Sequence, residues 1–203
     1  MSELRKIGWN AFEGDAKLKN MVGSHTYTYK QYDASTDTSS VITGCNAISE
    51  GVCDLSGLHN LRSIAGNAFK DCNSIKFLHL PDNKPNGATQ SNLYIGYDPE
   101  NYSHSKAGSA LRQTAILSSN KSIRVLVGES ALFAHYDFGK NKGSRTHYIN
   151  GCFGVGNDIY YHLANSSDIP SADSESIKYW TKEGDDFILI NSAKDARKYY
   201  HLS

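Results

Sequence analysis

Apolar positions along this chain recur in blocks. Ile64, Ala68, Phe69, Cys72, Ile75, Leu78 and Leu80 follow at short intervals, and Pro81 closes the block. From Ile75 to Leu80 the inward set Ile75, Leu78 and Leu80 is interleaved with Phe77 and His79, which predicts a short strand. Proline has no N–H for a ladder, so Pro81 marks its end. Around Asn67–Cys72, alanine and phenylalanine beside polar residues predict a single helical or 3-10 turn with the Phe69 ring buried. Such a unit, about 23 residues of strand plus turn, cannot cover its own apolar face and must stack on copies of itself.

Copies are present. Leu4-Arg5-Lys6-Ile7 with Asn10-Ala11-Phe12 recurs as Leu61-Arg62-Ser63-Ile64 with Asn67-Ala68-Phe69. A weaker copy runs through Ile48, Val52, Cys53, Leu58 and Leu61. Asn120–Leu126 echoes Cys72–Leu78, and Gly151-Cys152-Phe153 with Asn157–Tyr161 echoes Asn67-Ala68-Phe69 with Asn73–Phe77. The shared order predicts an α/β fold, a solenoid of short parallel strands and helical or 3-10 turns, spanning 1–203 as one domain.

Long insertions interrupt it at about 20–44, 81–112 and 164–182. In the first, Thr26-Tyr27-Thr28-Tyr29 alternates as a strand or hairpin with one aromatic face. The second holds Pro81, Pro85 and Pro99 among Gly, Asn and Ser and reads as a long irregular loop. The third includes the polar loop Asn165–Glu175; beyond it come an apolar strand, Phe187–Ile190, and a terminal helix over Ser192–Tyr200. Leu4 begins inside a repeat with no polar cap before it, so the chain reads as a fragment of a longer protein.

The block from Ile64 through Asn67-Ala68-Phe69, Cys72, Ile75, Leu78 and Leu80-Pro81 resembles the leucine-rich repeat of the BspA-like (Treponema pallidum-type) class. Ala131–Asp137 and Ala193–Tyr199 are similar to the tail that follows such strands, and the resemblance covers a third to a half of the chain. It implies a bacterial, sometimes protist, protein, secreted or held at the cell surface and used for protein binding, adhesion included.

Composition narrows the functional classes. Lys plus Arg and Asp plus Glu number 21 each, so no basic excess favours nucleic acid as a partner. The chain is only 39% hydrophobic, and no apolar run approaches the roughly 18 residues of a spanning helix. Thirteen tyrosines argue against disorder. Cys45, Cys53, Cys72 and Cys152 make no CxxC pair; they read as buried apolar side chains, with one bridge within Cys45–Cys72 left open.

No catalytic motif stands out. Gly151–Gly156 has the wrong glycine order for a dinucleotide fingerprint, and the eight histidines form no pair at metal-ligand spacing. Glu183 with Asp185-Asp186 reads as a solvated turn, and Asp98 and Glu100 have no second acidic cluster beside them. No catalytic residue, metal site or cofactor is therefore expected. The expected activity is recognition of a protein or glycan through the outward strand face. That row is Phe77, His79, Val125, Val127 and Tyr161, with Asn20 and Val22 at equivalent places. The alternative is a scaffold domain within a larger cell-envelope protein.

Overall fold

The computed structural model describes residues 4–15, 27–46, 51–81, 93–96, 116–117, 123–128, 131–133, 153, 157–171 and 177–202. Within them lie twelve strands: β1 (Lys6–Ile7), β2 (Thr28–Asp33), β3 (Thr38–Asn46), β4 (Val52–Asp54), β5 (Ser63–Ala65) and β6 (Phe77–His79), then β7 (Leu93–Gly96), β8 (Arg124–Val127), β9 (Ala131–Phe133), β10 (Asp158–His162), β11 (Lys178–Glu183) and β12 (Asp186–Ile190). A short 3-10 turn, Ser166–Asp168, and helix α1 (Ala193–Tyr199) complete the described elements. The strands form a four-stranded sheet, β1-β5-β7-β9, and an eight-stranded sheet, β3-β2-β12-β11-β10-β8-β6-β4.

The repeated segments stack in register. Lys6 lies opposite Ser63 and Ile7 opposite Ile64 in a parallel pair. The turns that follow are bonded too: Phe12 N–H donates to the Ala68 carbonyl at 2.9 Å, and Gly14 N–H to the Lys70 carbonyl at 2.8 Å. The Phe12 and Phe69 rings stack with centroids 5.3 Å apart, and Phe69 N–H continues the column to the Ile116 carbonyl. These segments are successive tight turns rather than the helical turn expected. The left-handed residues Asn10 (φ 54) and Asn67 (φ 56) occupy equivalent places, and so do Gly14 (φ 74) and Asp71 (φ 61). Asn and Asp adopt that region more readily than other side-chain-bearing residues because they hydrogen-bond locally.

The leucine-rich-repeat solenoid is nevertheless the wrong architecture. The protein is β-rich, its large sheet is mixed and curled into a half-barrel, and α1 is its single helix among the described residues. The insertions decide this. β2 and β3, from the first insertion, form an antiparallel hairpin, and β2 joins β12 in parallel. β11 and β12 pair antiparallel through a turn in which Gly184 takes φ 57, a conformation glycine adopts without steric cost. β7 lies inside the stretch read as an irregular loop and pairs with both β5 and β9. What the family resemblance implied about secretion and adhesion rested on the solenoid, which the fold replaces.

The curl gives the large sheet two buried faces. One packs against the four-stranded sheet, joining Leu78, Val125, Ile159, Tyr179 and Ile188 to Ile7, Ile64, Leu93 and Ile95. The other holds a separate cluster of Tyr29, Val52, Phe77, Leu126, Tyr160, Trp180, Phe187 and Leu189. Every member of the second cluster lies on a strand of the eight-stranded sheet. The Tyr29 ring stacks on Phe77 at 4.6 Å, although β2 and β6 stand near opposite ends of the strand order. Helix α1 covers the first core with Ala193 and Ala196. Its N-cap, Ser192, accepts from Asp195 N–H at 3.0 Å, a contact worth about 1 kcal/mol.

Candidate functional site

All five residues of the expected outward row are buried, with Phe77, His79, Val125 and Val127 at most 1% exposed and Tyr161 7%. They also divide between faces. Phe77 belongs to the cluster inside the curl, whereas Val125, Val127 and Tyr161 belong to the core between the sheets. Leu78 pairs with Val125, and His79 with Leu126. Ile75 and Ile123 both sit in the inter-sheet core, but Lys76 separates Ile75 from β6 while Ile123 abuts β8 directly. That one-residue difference exchanges faces along the strand. Asn20 and Val22 lie outside the described residues.

His79 is the one member of that row placed among other polar groups. Its Nδ1 lies 3.3 Å from the Tyr29 hydroxyl oxygen and 3.8 Å from Asp54 Oδ1. β4 and β6 run parallel and bring Asp54 opposite His79. Asp54 Oδ1 also accepts from Ser56 N–H at 2.8 Å, which fixes the carboxylate in an Asx turn. Rings surround the imidazole edge to face: Phe187 at 4.5 Å, Trp180 at 5.4 Å and Tyr29 at 6.1 Å. Trp180 is held by its indole N–H, which donates to the Val127 carbonyl at 3.1 Å, and His162 stacks on it at 4.2 Å. Tyr27, packed edge-on to Phe187, has its phenol pushed up by burial first and then by the Asp54 and Asp185 carboxylates.

The arrangement can hold a proton between a hydroxyl, an imidazole and a carboxylate inside an apolar shell. No group of three or more potential metal ligands occurs among the described residues. Cys53 and Cys72 are free thiols, so the bridge left open within Cys45–Cys72 is not formed. The Cys72 thiol instead donates to the Phe12 carbonyl at 2.8 Å. Sequence reasoning found His79 but missed Asp54. It read Tyr29 as one side of an inserted strand, with no signal that β2 crosses to β6.

On the surface, Trp9 is a large aromatic left 48% exposed among the described residues. It stands between β1, the outer strand of the four-stranded sheet, and the turn that bonds to residues 66–70. Half-buried Phe12 is nearby in sequence, braced from beneath by Phe69. No helix among the described residues is long and apolar enough to cross a membrane.

The fold and surface together define a two-sheet β protein with a doubly buried curled sheet and an exposed tryptophan at the sheet margin. No protein-family model, curated protein or solved structure matches the chain.

Proposed function

We propose that the chain is a non-enzymatic recognition module that binds a protein or glycan ligand through the surface around β1 and the turn after it. The exposed Trp9 carries this reading. An indole offers a large, stiff contact area with one N–H donor, and such residues dominate binding energy at protein and sugar interfaces. The turn beside it is tied by backbone hydrogen bonds at Phe12 and Gly14, so little ordering entropy opposes binding there.

The test is a screen of labelled protein against a glycan array and a panel of purified proteins, with Trp9→Ala alongside. Ligands found with the native chain should lose at least about tenfold in affinity in the variant, equivalent to about 1.4 kcal/mol. Thermal stability should stay within about 0.5 kcal/mol, as for other surface changes. Ligands that bind both proteins equally would move the interface elsewhere and overturn this reading.

A further inference from the structure

We propose that His79 is a proton-operated clasp joining three strands inside the curled sheet. As the neutral ring it accepts at Nδ1 from the Tyr29 hydroxyl of β2. On taking a proton from solvent at Nδ1 it loses that lone pair and donates to the Asp54 carboxylate of β4. The structure holds the first state, with Nδ1 at 3.3 Å from the hydroxyl, and leaves the carboxylate at 3.8 Å, a few tenths of an ångström short of a hydrogen bond. His79 and Asp54 are both almost wholly buried, so the exchange of partners is not diluted by water at the ring.

The two partners sit on strands that the sheet itself does not join. β4 is the last strand at one end of the order, and β2 is the second at the other. Closure of the curl between them rests on side chains, with Tyr29 of β2 stacked on Phe77 of β6. Protonation therefore transfers one bond from the contact across the gap to the contact between neighbouring strands β4 and β6. The loosened side is the β2 hairpin.

Two cations near the cluster lie against aromatic rings. Arg124 of β8 is over Phe77 at 5.5 Å, and Lys182 of β11 is over Phe187 at 5.9 Å. His162 of β10 stacks on Trp180, and Asp186 of β12 is paired with Lys30 of β2. Tyr27, at the entry to β2, feels both the Asp54 carboxylate and that of Asp185 in the β11–β12 turn. Among the described residues, Asp54 lies 3.8 Å from the imidazole Nδ1 and the Tyr29 hydroxyl 3.3 Å from it.

The test follows the His79 Cε1–H resonance by NMR from pH 5 to 8, the range in which histidine ordinarily changes charge. The native chain should show one titration in that window. Tyr29→Phe removes the donor to the neutral ring and should raise the midpoint by about half a pH unit, whereas Asp54→Asn removes the partner of the cation and should lower it similarly. Trp180 fluorescence should follow the same midpoint in the native chain and in His162→Gln, which excludes the stacked histidine as the source. A His79 ring fixed in one form across the window, or a Tyr29→Phe midpoint that is unchanged or lower, overturns the clasp. Tyr29→Phe is a near-isosteric change, so that arm stands even if Asp54→Asn does not fold.

Discussion

Tyr32 shows how a single buried hydroxyl ties local structure to pH. Its ring is buried against Tyr199, and its hydroxyl donates to Asp37 Oδ1 at 2.6 Å across the β2–β3 turn. Burial first and then the Asp37 carboxylate push the phenol up to about 12, from an ordinary value near 10. The native state thus holds its proton more tightly than the unfolded chain. The stabilisation is complete below about pH 10 and is lost as pH rises through about 12. In an absorbance titration at alkaline pH, Asp37→Asn should bring one late-titrating tyrosine back toward the ordinary value. Cys53 makes a second test at this scale. Burial pushes its thiol up, and thiolate is the reactive form. Mapping by mass spectrometry should find Cys53 unmodified by a maleimide in the native protein and modified in denaturant. Neither behaviour was readable from composition, because both depend on which strand covers the side chain.

At the scale of elements, the sequence was most informative where the backbone repeats its own conformation. The Asn-Ala-Phe copies predicted a stacked pair, and the structure stacks them with matching left-handed asparagines at 10 and 67. Asn67→Ala should cost about 1–2 kcal/mol in denaturant unfolding, because a Cβ-bearing residue without a local hydrogen bond is strained there. Asn67→Gly should cost less; equal costs would mean that φ is not the constraint. The strand at Phe187–Ile190 and the terminal helix were legible as well, the helix from the spacing of Ala193, Ala196 and Arg197. The faces of the other strands were not. Alternation separates core from solvent only when one face is wet, and FLH, RVLV, DIYYH and DFILI are apolar at consecutive positions. That density is what strands covered on both sides require. The large aromatics Phe77, Tyr160 and Trp180 were therefore the available signal of a second core, and reading Phe77 as part of a binding stripe put it in water.

For the whole molecule, the inserted hairpin changes the architecture from an open stack to a curled sheet. Local repeats specify neighbours, but nothing in a repeat specifies which remote segment will add to the far edge. That contact depends on Tyr29, which is fully buried and packs on Phe77 from β6 and Phe187 from β12. The Asp54–His79–Tyr29 group exists only because of the same closure, so the chemistry of the interior was legible no sooner than the curl. Closure is tested most directly by a double-mutant cycle on Tyr29→Leu and Phe77→Leu, measured by denaturant unfolding. Direct ring contact predicts a coupling of about 0.5–1.5 kcal/mol between the two substitutions. Losses that add to within about 0.3 kcal/mol would mean that β2 does not meet β6, and would contradict the curled sheet.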